Sequence, residues 1–350
     1  MSAEKGVVPR ALLQRTGVAD KLALPGVTEV MVNRPGEIWI EDKDGFSRFD
    51  APEANLDALR NLANALCIYN NKKLDYVEPM HSVTLPDGER GHIVIAPACD
   101  QGLVVMTFRK PSPVRLSIAD YEKSGRLSGV RDLSLAMSRQ AGSAQIDEGA
   151  LEPWQLEMIA DKNEGRLSDF FQKAVDHKCN ICMVGGTGSG KTTFSKALAD
   201  LIDANTRIIT IEDTHELSLP YHPNHVHLYH REGVTAKQAL ASCMRMKPDR
   251  IFLTELRGDE AWDYLSALNT GHQGGLTSVH ANDCVSAFYR IAQLAKESET
   301  GKTMDYAYIL GIVRSTIDIV CFFKRTFLTE IYYNPIDKLR ASAGRAMGAN

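Results

Sequence analysis

The sequence predicts an α/β fold: a C-terminal domain with a mostly parallel sheet, preceded by a smaller α+β N-terminal domain. Three observations predict it. From about Leu167 onward, short apolar β-rich runs alternate with helical patterns, the order expected of a parallel sheet covered on both faces. One of those runs enters a glycine-rich loop that opens a helix. The first third instead shows strands, tight turns and one long amphipathic helix, with no parallel-sheet signature. The expected divisions are residues 1–115, a linker with short helices at 116–165, and the α/β domain at 166–350.

In the N-terminal part, TEVMVN and EIWIED are strand-like and flank Arg34-Pro35-Gly36-Glu37. Proline then glycine at the two central positions suits a type II turn. Leu56, Leu59, Ala63 and Leu66 recur at helical spacing, so the segment around them is an amphipathic helix. HSVTL, the turn Pro86-Asp87-Gly88, HIVIAPA and LVVMTFR complete a sheet. SGRLSGVRD and RQAGSAQIDEGAL read as linker. Beyond them, CNICMV, RIITIED, RIFLTEL, GLTSVHA and STIDIVCFF read as strands, with TAKQALASCMRM and DEAWDYLSALNT as helices between.

The chain has 350 residues, enough for two cores, and a formal net charge of only -4. That balance gives no reason to expect nucleic acid or anionic lipid as the main partner, and no sequence-specific nucleic-acid binding is expected. No stretch approaches the roughly 18 apolar residues of a spanning helix, and MSAEKGVVPRALLQ lacks a signal-peptide core. The expectation is a cytoplasmic protein. Seven scattered cysteines fit reduced thiols. Cys179-x-x-Cys182 resembles a metal or redox pair, but residues three apart on a strand face opposite ways, which favours buried strand cysteines. His222, His225, His227 and His230 form a tempting cluster, and His225 and His227 share a strand face. No aspartate or cysteine pattern completes it, so structural or surface histidines are the preferred reading.

Gly185-Gly186-Thr187-Gly188-Ser189-Gly190-Lys191-Thr192 matches the phosphate-loop pattern in full, between a strand and the helix that begins TTFSKALADLI and includes Thr193. The glycines let backbone N–H groups face phosphate oxygens, and the helix N-terminus adds its dipole. Lys191 is placed for the β/γ phosphates, and the Thr192 hydroxyl for Mg²⁺. The implied ligands are ATP and Mg²⁺. Glu212 and Asp213 close one strand and Glu255 another, on the crevice side of a parallel sheet. There they are placed to orient the attacking water or waters on Mg²⁺, with Glu212 as the aid to the metal; solvated strand ends are the alternative. Thr254 stands where a metal-binding aspartate is usual. His280 ends LTSVHA, either as a γ-phosphate sensor or as a satisfied, partly buried histidine.

Four boxes in order, GGTGSGKTT, RIITIEDTHEL, CMRMKPDRIFLTELRGDEA and GHQGGLTSVHAND, resemble the secretion superfamily ATPases. The likeness is greatest to the hexameric traffic ATPases of type IV secretion and conjugation systems. VNRPGE, GERGHIVIAPA and TFRKPS look like that family's N-terminal domain, so the resemblance spans nearly the whole chain. It implies a RecA-like phosphate-loop domain and a homo-hexamer with nucleotide between the N- and C-terminal domains. It also implies Arg109, and less surely Arg90, as arginines that approach the phosphates. Glu255 is then the water-activating acid, Glu212 an aid to Mg²⁺, and the absent aspartate at Thr254 agrees with the family. The implied partners are subunits of a membrane-embedded secretion channel. The implied location is the cytoplasmic face of the inner membrane, with lipid contact. No pair of C-x-x-C pairs is present, which sets the chain apart from type II secretion relatives with a zinc insert. The expected function is an ATP-driven motor for assembling a secretion machine and moving its substrate. The rivals are a pilus assembly or retraction ATPase, a type II secretion ATPase, and a nucleotide-gated scaffold with little turnover. Sustained turnover separates motor from scaffold.

Overall fold

The computed structural model describes residues 6–110, 114–134, 148–231 and 233–347. Pro111, Ser112, Pro113 and most of RQAGSAQIDEGAL, read as linker, lie outside the described residues. The chain divides into two units, Met1–Pro113 and Val114–Asn350.

The first unit contains helices α1 (Val7–Arg15), α2 (Val18–Ala23) and α3 (Leu56–Tyr69), with strands β1 (Glu29–Val32), β2 (Gly36–Asp42), β3 (Gly45–Ala51), β4 (Met80–Thr84), β5 (Arg90–Ile95) and β6 (Val104–Arg109). The six strands form one antiparallel sheet in the order β3-β2-β1-β6-β5-β4. The turn into β2 has Gly36 at φ +87°, as the type II geometry requires. Helix α3 begins on an Asn55 cap whose side chain accepts from Ala58 N–H. It buries Leu59, Leu62, Ala63 and Leu66 against Val30, Ile93, Met106 and Phe108 of the sheet. Two features were not apparent from the pattern: α1–α2, and strand β3, of which only Ala51 is buried.

The second unit begins with α4 (Ile118–Lys123), β7 (Arg131–Asp132), α5 (Pro153–Asn163) and α6 (Leu167–Asp176). Residues 116–165, expected as a linker, thus supply parts of this unit. Ile118, Tyr121, Leu127 and Met158 join its core. Strand β8 (Ile181–Val184), α7 (Lys191–Ala199), β9 (Ile208–Glu212), β10 (His225–Tyr229), α8 (Ala236–Cys243), β11 (Arg250–Leu253), α9 (Glu260–Asn269) and β12 (Leu276–Val279) follow. Then come α10 (Cys284–Glu297), α11 (Glu299–Thr303), α12 (Tyr306–Thr316), β13 (Ile319–Lys324), β14 (Phe327–Tyr333) and α13 (Pro335–Met347).

These strands form an eight-stranded sheet in the order β10-β9-β11-β12-β8-β13-β14-β7. Every neighbouring pair is parallel except β13–β14. The α/β, mostly parallel expectation holds. Strand β8 is central and buried along its length. Cys182 and Val184 face one core, with α8, α9, α10 and α12. Ile181 and Met183 face the other, with α4, α6 and α7. Cys179 precedes the strand and joins the core opposite that of Cys182, so the two thiols do not form a pair.

Phe194 fixes the phosphate-loop helix to the sheet. Its ring lies 5.1 Å from both Tyr121 and Phe171 and 4.8 Å from Phe323, and it is fully buried. Phe194→Ala should cost about 3–5 kcal/mol, and Phe194→Leu clearly less. Urea unfolding of the three proteins measures this; equal midpoints would show that the ring does not anchor α7.

Candidate functional site

Strand β8 ends at Val184, and the chain leaves the sheet as the loop Gly185–Gly190. Gly185 has φ +144°, Gly188 +69° and Gly190 +93°, conformations that favour glycine. A Cβ on Gly185 would stand 2.4 Å from the Phe323 carbonyl oxygen. A Cβ on Gly186 or Gly188 would meet nothing within 4 Å. The loop is therefore pressed against β13 on one side and open on the other. Gly186, Thr187 and Gly188 are exposed, while Ser189 is buried, with no hydrogen-bond partner for its Oγ among the described residues. Lys191 starts α7 and turns back, its ammonium donating to the carbonyls of Gly185 (2.7 Å) and Gly186 (2.8 Å). A cradle open to one side, a helix N-terminus, an unsatisfied hydroxyl and a lysine over the loop suit a polyphosphate.

Thr192 and Thr193 follow, half-buried. The Thr192 hydroxyl donates to Glu216 Oε2 at 3.1 Å. An acid bonded to the predicted Mg²⁺ ligand is thus Glu216, from the loop after β9. Glu212 is buried at 1% exposure and already engaged. Its Oε2 accepts from the N–H groups of Glu216 and Leu217, both at 2.9 Å, and its Oε1 accepts from the Thr210 hydroxyl at 3.0 Å. Burial works to raise its pKa. The neighbouring His215 and His227 imidazoles and those two N–H groups outweigh burial and hold the carboxyl well below its usual range.

The remaining groups meet at the C-terminal ends of β9, β11 and β12. Glu255 Oε1 lies 3.2 Å from His280 Nε2, and Glu255 Oε2 accepts from Arg257 at 2.8 Å. Arg257 also donates to Asp213 at 2.9 Å. Burial raises Glu255, but the bond and charge of Arg257, then the charge of His280, bring it below its normal value. His280 is lowered, first by burial and then by Lys191. Its partners include the Gly185 backbone, which brings the histidine to the phosphate loop. Thr254 is occupied by the sheet: its N–H (3.1 Å) and hydroxyl (3.3 Å) both donate to the Ile211 carbonyl. Sequence reasoning missed Glu216 and Arg257. Both lie inside the quoted boxes, but their reach depends on loop folding and not on strand position.

In the first unit, Arg90 and Arg109 sit directly opposite each other on β5 and β6. Cross-strand partners share a face, so the two arginines stand together. Arg109 Nε lies 3.9 Å from Glu29, its partner on β1. Burial comes first in raising the Glu29 carboxyl above its normal value, with Arg109 opposing.

The described residues include no helix long and apolar enough to cross a membrane. Residues 152–325 match the family model described as type II/IV secretion system protein. The chain is 36% identical over 329 residues to the type IV secretion system protein VirB11 of Brucella suis, covering 90% of this chain and 87% of the relative. It is 35% identical over 312 residues to the type IV secretion system protein PtlH of Bordetella pertussis, covering 87% of each. Among solved structures, the VirB11 ATPase of the Brucella suis type IV secretion system, in complex with sulphate, matches with a TM-score of 0.54 at 35% identity, over 98% of this chain and 99% of that one. The pilus retraction motor PilT with bound ADP shares the fold at 16% identity, with a TM-score of 0.58 over 96% of this chain and 87% of that one. On the length and identity of these matches, the chain belongs to the type II/IV secretion system protein family, with the VirB11-type secretion ATPases as its relatives.

Proposed function

We propose that the protein is a Mg²⁺-dependent ATPase that works as a homo-hexameric motor on the cytoplasmic side of a type IV secretion channel. One observation carries the reading. The phosphate loop opens beside a carboxylate, Glu255, that His280 and Arg257 hold in its ionised form. ATP is the substrate. The N–H groups of the loop and Lys191 bind its phosphates, and Lys191 exchanges its two carbonyl partners for phosphate oxygens. Thr192, with Glu216 behind it, holds Mg²⁺, which when bound supplies positive charge against the phosphate oxygens. Glu212 contributes by fixing the loop that carries Glu216.

Glu255 orients a water and accepts its proton as the oxygen adds to the γ-phosphorus and the bond to the β–γ bridging oxygen breaks. His280 and Arg257 position that carboxylate. Arg109, with Arg90 beside it, brings a planar donor fork to the terminal phosphate in the assembled ring. Such a contact couples the N-terminal domain to the presence of the γ-phosphate. The relatives support a role in driving a secretion machine. Channel subunits and inner-membrane lipids are then the expected contacts.

Steady-state phosphate release tests the chemistry. Lys191→Ala should abolish turnover while the fold survives. Glu255→Gln should keep ATP binding and lose about 10²–10⁴ in rate, because the amide is a poor base. Wild-type rates in both variants would remove the assignment.

Mg²⁺ titrations separate the two acids. Glu216→Gln should raise the Mg²⁺ needed for half-maximal hydrolysis by about tenfold, roughly 1.4 kcal/mol. If Glu212→Gln shifts it more, the metal-aiding role returns to Glu212.

The ring is tested by light scattering with ATP and Mg²⁺, where six copies are expected and monomer at every concentration would overturn it. Arg109→Ala should lower turnover by roughly one to three powers of ten, since breaking a buried charge pair costs about 2–5 kcal/mol. Arg109→Lys should recover only part. Equal rates for wild type and both variants would show that the N-terminal domain leaves the phosphates alone.

A further inference from the structure

Behind the nucleotide site, three segments bring metal-ligating side chains to one point. Glu212 closes β9, His215 lies on the loop that follows, and His227 stands on the neighbouring parallel strand β10. One donor atom from each lies within 4.8 Å of the other two. The Nδ1 atoms of His215 and His227 stand 3.6 Å and 3.5 Å from the same carboxylate oxygen, Glu212 Oε1. Donors about 2.0–2.2 Å from a tetrahedral ion stand roughly 3.3–3.6 Å apart. The distance of each imidazole nitrogen from the carboxylate oxygen is of that size. We propose that Glu212, His215 and His227 form a binding site for a divalent transition metal of the Zn²⁺ class.

Three further features support a metal over a fortuitous contact. The carboxylate is buried, and buried charges are paired or bind metals. It is also oriented from outside the triad, by the Glu216 and Leu217 N–H groups and the Thr210 hydroxyl, as ligating carboxylates are. Thr210 Oγ1 also lies 2.7 Å from His227 Nδ1, a contact that the ion would replace. The two imidazole rings are only 4.3 Å apart between centroids. Two protonated rings at that distance repel and share a single carboxylate between them. One divalent ion satisfies both neutral rings and the carboxylate at once.

The His215 side chain is 44% exposed, which gives the ion an entry path and leaves a position for water. Two imidazoles, one carboxylate and an open position suit Zn²⁺ better than Mg²⁺ or Ca²⁺, which prefer all-oxygen shells. The ion would also brace residues 212–217, the segment that carries Glu216 to Thr192. Only this last consequence rests on the proposed nucleotide site.

The test uses the full chain, stripped with chelator and kept free of nucleotide and Mg²⁺. Calorimetric titration with Zn²⁺ should give one ion per chain, and Co²⁺ should give the visible bands of a tetrahedral N/O site. His215→Ala and His227→Ala should each weaken Zn²⁺ by more than about tenfold, and Zn²⁺ should raise the melting temperature of wild type but not of these two variants. Cys99→Ser, at the one cysteine not fully buried, should bind as wild type does. If His227→Ala fails to fold, His215→Ala, on an exposed loop, still decides the matter. No stoichiometric binding to wild type, or unchanged affinity in His215→Ala, overturns the site. Either result leaves the ATPase reading standing, because phosphate release is measured separately.

Discussion

There is no room for a side chain at Gly185, and the site depends on that. The backbone leaves the central strand where the Phe323 carbonyl of β13 and the Ser189 hydroxyl close in, 2.4 Å and 2.7 Å from where a Cβ would sit. Pressed from that side, the loop rises over Gly186, Thr187 and Gly188 and comes back at Gly190 against Thr326. The Thr326 N–H donates to the Ser189 carbonyl and pins the return. Helix α7 then starts with its N–H groups aimed at the open face, and Phe194 locks its first turn into an aromatic cluster. The flanking strand and helix, with a hairpin distant in sequence, therefore set the shape of one six-residue loop.

Charge is arranged with equal economy around that loop. Parallel neighbours end side by side, so Asp213 on the β9 end and Glu255 on the β11 end would repel. Arg257 divides its planar fork between them. Burial pushes the Glu255 carboxyl up, and the arginine outweighs it. The result is a carboxylate held below its normal range in a half-buried setting, next to a histidine that burial lowers. Glu212 reaches the ionised state by another route, through backbone N–H groups and two imidazoles, and its work is to shape the following loop.

Much of this was legible in the sequence, because local pattern and tertiary role coincide. The β8 strand, its glycine loop and α7 are contiguous, and the buried strands of the parallel sheet are uninterrupted apolar runs. The helix around Leu59 announced itself by spacing. Other parts are set by distant partners and leave little local trace. Strand β3 is an edge strand with one buried residue, so it lacks alternation. The segment from residue 116 looked like a linker because its apolar residues are isolated, and Tyr121 finds Phe194 only in the folded chain. Thr192 meets Glu216 across a loop, and no spacing rule separates Glu216 from Glu212. His227 appeared to lack a carboxylate because Glu212 lies on a different strand.

The two-residue strand β7 has a practical meaning for anyone who would work with part of this chain. It pairs with β14 at the sheet's edge, and Arg131 on it neutralises the buried Glu330, whose other oxygen caps the Cys284 N–H. A fragment that begins at residue 152, where the family match begins, discards this strand and α4. It bares the N–H and C=O groups of β14, strips apolar cover from the phosphate-loop side of the core, and strands a carboxylate without its cation. An open edge of that kind recruits other chains by strand addition. Such a fragment would aggregate during purification, so its inactivity would report lost solubility as well as the lost N-terminal unit.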